Sequence, residues 1–90
     1  MKAFNWDPEK NEWLKPRRGV SFEEIVDAIR AGALLATRQN PSTLHPGQRV
    51  FIVRFDSYVW SVPFVESETE VFLKTAFPDR EFNKEYADEK

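Results

Sequence analysis

Two capped helix starts follow one another within the first 24 residues, and they constrain the fold of this chain more than any other feature. Asp7 precedes Pro8, which suits the first helical position because its missing N–H costs nothing there. Ser21 stands three residues before Glu24, which is the spacing of a capping box. Gly19 between the two starts suits a left-handed helix terminator. The sequence therefore predicts two consecutive helices.

The hydrophobic pattern around these starts predicts their extents. A weakly alternating strand over residues 2–6 leads into a helix over residues 8–15. Pro16 ends this helix in our prediction, because the residue before a proline avoids helical dihedrals. A second helix is predicted over residues 22–31 and ends at Gly32. Its apolar positions recur at helical spacing: Phe22, Ile25, Val26 and Ile29.

The rest of the chain is strand-like until a last helix. A loop over residues 39–47 is irregular because of its prolines and its glycine. A helix over residues 80–87 follows Pro78-Asp79. The predicted strands are residues 33–38, 49–55, 58–65 and 71–77. This order predicts an α+β fold, with a small and mainly antiparallel sheet, two N-terminal helices and a C-terminal helix.

The two central strands give the predicted sheet two apolar faces. Their two-residue connection, Asp56-Ser57, is typical of a tight hairpin and pairs Phe55 with Tyr58. One face then carries Phe51, Val53, Trp60, Val62 and Phe64. The other carries Val50, Ile52, Val59, Pro63 and Val65. An apolar face needs a cover, so we expect the last helix, a second subunit or a partner protein on the second face.

Length and composition predict a single domain over residues 1–90, large enough to bury about 60–65% of its unfolded surface. The chain has no cysteine, which excludes disulfides and thiolate nucleophiles and favours a reducing cytoplasm. No apolar stretch approaches the ~20 residues that a membrane span needs. His45 is the one histidine and lies in the predicted loop, whereas zinc sites need several nitrogen or sulfur ligands. We predict a cytoplasmic protein without a metal site or cofactor.

The net charge of −2 argues against a broadly nucleic-acid-binding surface, because such proteins usually carry a basic excess. Any basic surface must therefore be local. One basic patch ends the first helix and consists of Lys15, Arg17 and Arg18. Cations also favour helix C-termini without any ligand, so the helix dipole accounts for this patch equally well.

Two runs of this chain resemble the BrnT family of toxins from bacterial toxin–antitoxin pairs: Trp6-Asp7-Pro8-Glu9-Lys10 and Gly19-Val20-Ser21-Phe22-Glu23-Glu24. The likeness continues in Leu73-Lys74-Thr75 and in the charged last helix. The family is similar in fold to the RelE-like ribonucleases. The resemblance therefore implies a RelE-like domain with two partners, a cognate antitoxin protein and an RNA substrate. It also allows a homodimer or a hetero-oligomer with the antitoxin.

The resemblance further implies a site for metal-independent RNA cleavage through the 2′-hydroxyl. Such cleavage needs a base for that hydroxyl, an acid for the leaving 5′-oxygen, and cations for the charge on the phosphorane. By resemblance, the catalytic group consists of Lys74, Arg80, Lys84 and Tyr86. The predicted RNA-binding residues are Lys15, Arg17, Arg18 and Arg54.

Two functions stay open at this point, an endoribonuclease toxin and a non-catalytic protein-interaction module on the same scaffold. The pI of about 5.4 and the acidic run Glu66-Ser67-Glu68-Thr69-Glu70 favour the module. So does Arg17-Arg18, because BrnT proteins often carry Lys-His there. Cations gathered in a groove would favour the nuclease, whereas cations each paired with a carboxylate, as ordinary helix ion pairs are, would favour the module.

Overall fold

The computed structural model describes residues 2–39 and 48–86, and these form an α+β domain, as the sequence predicts. A mixed sheet is accompanied by three α-helices. In chain order the elements are β1 (Ala3–Trp6), α1 (Pro8–Arg18), α2 (Phe22–Ala28), a π-helical segment (Ile29–Ala33), β2 (Leu34–Gln39), β3 (Arg49–Phe55), β4 (Tyr58–Glu66), β5 (Glu70–Leu73), β6 (Phe77–Pro78) and α3 (Arg80–Glu85).

The sheet has the strand order β1-β5-β4-β3-β2, and the two-residue strand β6 pairs with β4 beside β5. β1 runs parallel to β5, with Phe4 opposite Val71, and every other pairing is antiparallel. The strand predicted over residues 71–77 is divided in two, because β5 ends at Leu73 and pairing resumes only at Phe77. The sheet is therefore mixed and more interrupted than expected.

Helix α1 begins as predicted and ends later. The Asp7 side chain accepts a hydrogen bond from the Glu9 N–H at 3.0 Å. The prediction that Pro16 ends the helix is wrong, because the helix continues to Arg18. A proline in the last turn removes one intrahelical hydrogen bond. The turn is closed nonetheless by the Gly19 N–H, which donates to the Lys15 carbonyl at 3.0 Å from a left-handed φ of 66°.

Helix α2 carries the predicted capping box. The Ser21 hydroxyl accepts from the Glu24 N–H at 3.1 Å, and the Glu24 carboxylate accepts from the Ser21 N–H at 2.9 Å. The helix ends at Ala28 rather than at residue 31, and the backbone widens into the π-helical segment. Gly32 has a left-handed φ of 96° there, and this reverses the chain into β2.

The predicted hairpin is confirmed residue by residue. Phe55 pairs with Tyr58, and Asp56 and Ser57 connect the strands with φ of 54° and 64°. This register places one face of β3 and β4 against the two N-terminal helices. The core on that face includes Leu14, Phe22, Ile25, Phe51, Val53, Trp60, Val62, Phe64 and Leu73.

The last helix covers part of the second face, which was one of the three covers that the sequence allowed. Val50, Ile52 and Val59 form a separate buried cluster, and Phe82 and Tyr86 pack against it. Helix α3 ends at Glu85, two residues before its predicted end. The predicted loop and His45 lie outside the described residues, except for Gln39, which ends β2.

Candidate functional site

Three elements meet around Tyr86, just after the end of α3. Arg54 of β3 donates from Nη2 to the Tyr86 carbonyl at 2.9 Å. Arg38 of β2 pairs with Glu85 of α3 at 2.6 Å. The nearby Tyr86 side chain and then Glu85 raise the pKa of Arg38 above its usual value. We call Arg38, Arg54, Glu85 and Tyr86 the tyrosine cluster.

The strand register explains how the tyrosine cluster forms. Arg38 is opposite Val50, and Arg54 is opposite Val59, so both arginines lie on the face that α3 covers. Phe82 supports the cluster from the helix, because its ring centroid lies 5.0 Å from the Arg38 guanidinium and 6.4 Å from the Tyr86 ring. Guanidinium groups stabilise the negative charge of a phosphorane, and a tyrosine hydroxyl can transfer a proton.

A second feature is a shallow cavity beside the turn between β3 and β4. Its volume is about 390 Å³, and it is lined by Asp56, Tyr58, Trp60, Pro78 and Arg80. We call it the hairpin cavity. The first turn of α3 positions Arg80, because the Asp79 side chain accepts from the Phe82 N–H at 3.1 Å and from the Ser61 hydroxyl at 2.8 Å.

The basic patch at the end of α1 is organised around Trp13. Lys10, Arg17 and Arg18 place their charged groups 3.8, 4.9 and 4.9 Å from the centroid of its ring. Arg18 is held further by a hydrogen bond of 2.7 Å to the Ala76 carbonyl. Lys15 differs from these cations, because it pairs with Glu12 at 2.8 Å, and this hydrogen bond raises the pKa of Lys15.

The predicted catalytic residues lie at three places in the fold. Lys74 follows β5, where its N–H donates to the Pro63 carbonyl at 2.8 Å. Arg80 lines the hairpin cavity, and Lys84 and Tyr86 lie at the end of α3. Within residues 2–39 and 48–86, none of the three cations pairs with a carboxylate.

Several residues of these sites were not predicted as site residues from the sequence. Arg38 and Glu85 belong to the tyrosine cluster, and Asp56, Tyr58 and Trp60 line the hairpin cavity. Arg38 belongs to a strand that the sequence predicts, but its face is known only once the pairing of that strand with β3 is known. Asp56 was identified only as a turn residue.

No group of three or more histidine, cysteine, aspartate or glutamate side chains among the described residues is placed to hold a metal ion. None of the described helices combines the length and apolar character required to cross a membrane.

Comparison of this chain with models of protein families, with curated proteins and with solved structures finds no match. The functional interpretation therefore depends on the residues and on their geometry.

Proposed function

We propose that this chain is a RelE-like toxin of the BrnT type, which cleaves RNA through the 2′-hydroxyl without a metal ion. The observation that carries the proposal is the tyrosine cluster, where Arg38 and Arg54 meet Tyr86. It combines a group able to transfer a proton with two groups that stay cationic at every physiological pH. These are the acid and the cations that cleavage requires in the absence of a histidine pair, and water serves as the base in this proposal.

Each residue of the cluster has a role in this proposal. The 2′-oxygen attacks phosphorus as its proton passes to water, the Tyr86 hydroxyl donates a proton to the leaving 5′-oxygen, and the guanidinium groups of Arg54 and Arg38 stabilise the phosphorane. Lys74, Arg80 and Lys84 contribute cations, and the patch around Trp13 adds more. RNA phosphates are the ligands that such cations attract. A cognate antitoxin protein would inhibit the toxin by covering these cations with an acidic segment.

Inducible expression in a bacterial host tests the proposal, with growth and total RNA followed over time. Wild type should arrest growth and deplete RNA, whereas Tyr86→Phe and Arg54→Gln should relieve both effects. Arg30→Gln is the matched control, because Arg30 is an exposed arginine in the π-helical segment, away from the cluster. Immunoblots and circular dichroism verify equal amounts and equal folding of all variants.

The outcomes distinguish an error in the site assignment from an error in the proposed function. If all variants arrest growth as wild type does, the tyrosine cluster is not the site. The double variant Lys74→Ala/Arg80→Ala then tests the other cations of the resemblance. If wild type leaves growth and RNA unchanged, the ribonuclease proposal fails.

The second candidate, a non-catalytic protein-interaction module, is favoured by one contact. Glu85 lies 2.6 Å from Arg38 and offsets part of the positive charge of the tyrosine cluster. If Glu85 blocks RNA binding, Glu85→Gln should bind a short single-stranded RNA more tightly than wild type does, as measured by fluorescence anisotropy. Equal and negligible binding by both proteins, together with normal growth, would support the module.

A further inference from the structure

Two oppositely charged side chains line the hairpin cavity without forming an ion pair. Asp56 belongs to the turn between β3 and β4, and Arg80 begins α3. Both side chains are exposed, and they form no ion pair with each other or with any other described residue. A carboxylate and a guanidinium that share one cavity but do not pair can both bind the same ligand. That ligand must offer hydrogen-bond donors to Asp56 and acceptors to Arg80.

The conformation of the turn determines where Asp56 lies. Asp56 and Ser57 both have left-handed φ, at 54° and 64°. Two-residue hairpin turns of this kind are usually built with Asn-Gly or Asp-Gly, so Asp56 suits its position and Ser57 replaces the usual glycine. Left-handed backbone at residues other than glycine concentrates at functional sites. The turn therefore places Asp56 at the rim of the cavity.

The walls of the cavity suit a flat aromatic ligand. Tyr58 is half-buried, and Trp60 is 7% exposed. The indole of Trp60 cannot rotate freely, because its Nε1 donates to the Phe55 carbonyl at 3.2 Å and its ring packs edge-on against Phe55 at 6.0 Å. Pro78 adds a further apolar side. Planar nucleobases stack on aromatic side chains in proteins that bind single-stranded RNA, and the half-buried Tyr58 is accessible enough for this, whereas Trp60 is almost fully buried beside it.

We propose that the hairpin cavity binds a guanine base. Guanine offers N1–H and N2–H donors to the Asp56 carboxylate, and its O6 and N7 accept a bidentate hydrogen bond from Arg80. Adenine presents an acceptor at N1, which a carboxylate repels. The cavity volume of about 390 Å³ accommodates one base and leaves room for its sugar. The base comes from single-stranded RNA in this inference, and that part rests on the proposed function.

Titration with ¹⁵N-labelled protein tests guanine binding directly. The indole N–H signal of Trp60, assigned with Trp60→Phe, is followed as GMP, AMP or short single-stranded RNAs with and without guanine are added. GMP and guanine-containing RNA should shift this signal, and AMP should bind at least tenfold more weakly. If GMP shifts the signal and the guanine-containing RNA does not, the ligand is the free nucleotide. That result would overturn the inference that the base comes from RNA.

Two variants decide which side chains bind the base. Asp56→Asn keeps the turn, because asparagine tolerates left-handed backbone, and it should weaken GMP binding about tenfold. Arg80→Gln should weaken it similarly. Asp27→Asn, at an exposed position of α2, is the matched control and should bind as wild type does. Equal binding of GMP and AMP, or unchanged binding by Asp56→Asn, would overturn the proposal.

The guanine titration and the expression test can give negative results independently of each other. If the protein arrests growth but does not bind guanine, the proposal that the hairpin cavity binds guanine is refuted and the ribonuclease proposal is unaffected. Guanine binding by a protein that neither arrests growth nor depletes RNA refutes the ribonuclease and keeps the binding site.

Discussion

The side chain of Asn11 joins the two N-terminal helices by hydrogen bonds. Asn11 is buried in α1, and its Oδ1 accepts from the Phe22 N–H at the start of α2 at 2.8 Å. Its Nδ2 donates to Glu23 at 2.8 Å. One amide therefore satisfies a helix-start N–H, sets the approach of α2 to α1 and places a carboxylate in the first turn of α2.

Replacing Asn11 by alanine should lower the free energy of unfolding by about 2 kcal/mol, because the buried Phe22 N–H loses its acceptor. Urea denaturation followed by circular dichroism measures the loss. Asn5→Ala is the control, because Asn5 also hydrogen-bonds a backbone N–H, that of Trp6, but at an exposed position where water can replace it, so the loss should be less than about 1 kcal/mol. Equal losses in the two variants would contradict this role for Asn11.

Gly19 matters for its backbone alone. Its φ is 66°, and a methyl group added at its Cα would meet nothing within 4 Å. Gly19→Ala should therefore cost about 1 kcal/mol through backbone strain rather than through a clash. Gly19→Asn should cost less, because asparagine adopts left-handed backbone more readily. Thermal unfolding of both variants gives the comparison, and identical losses would argue against a strain effect.

At the scale of elements, α3 depends on its neighbours. A helix of six residues is too short to be stable alone. Its first turn is capped by Asp79, and its apolar side, Phe82 and Tyr86, packs on the second face of the sheet. The tyrosine cluster is built at its end, so whatever detaches α3 also dismantles the cluster.

Phe82→Ala should lower the free energy of unfolding by about 2 kcal/mol, because it removes a partly buried ring from the cluster around Ile52. It should also accelerate amide hydrogen exchange in α3 more than in α2, as measured by NMR. The control Glu81→Ala alters an exposed position on the same helix. Unchanged exchange in α3 would show that the helix is held by other contacts.

The sequence predicted some elements closely and others poorly, for physical reasons. β3 and its hairpin with β4 were correct because alternation and a two-residue turn are local signals. The helix end at Pro16 was wrong because contacts from Arg18 to Ala76 in the distant β5–β6 connection favour one more turn. The tyrosine cluster could not be predicted, because only the pairing of β2 with β3 brings Arg38 near Tyr86.

At the scale of the whole molecule, ion pairs link distant parts of the sheet. Glu66 at the end of β4 contacts Lys2 at 2.9 Å and Arg49 at 3.2 Å. Lys2 precedes β1 and Arg49 begins β3, so this carboxylate connects three strand ends. The hydrogen bond from Lys2, and then the charges of Lys2 and Arg49, lower the pKa of Glu66 below its usual value.

This shift predicts a pH dependence. The folded-state pKa of Glu66 is lower than in the unfolded chain, so its stabilisation is present above about pH 4.5 and is lost as pH falls through the folded pKa. Urea midpoints measured from pH 7 to pH 3 should fall less steeply for Glu66→Gln than for wild type. The exposed Glu68 provides the control variant Glu68→Gln, and an identical slope in all three proteins would contradict the prediction.

The parallel pairing of β1 with β5 has a consequence for the timing of synthesis. β1 is translated before the other strands of the sheet, yet its partner β5 is translated only after β2, β3, β4 and the helices α1 and α2. Ribosomes add about 5–20 residues per second, so β1 waits several seconds for its partner. Because α3 follows β5, the tyrosine cluster assembles last. A nascent chain therefore lacks the proposed catalytic group until translation has passed Tyr86.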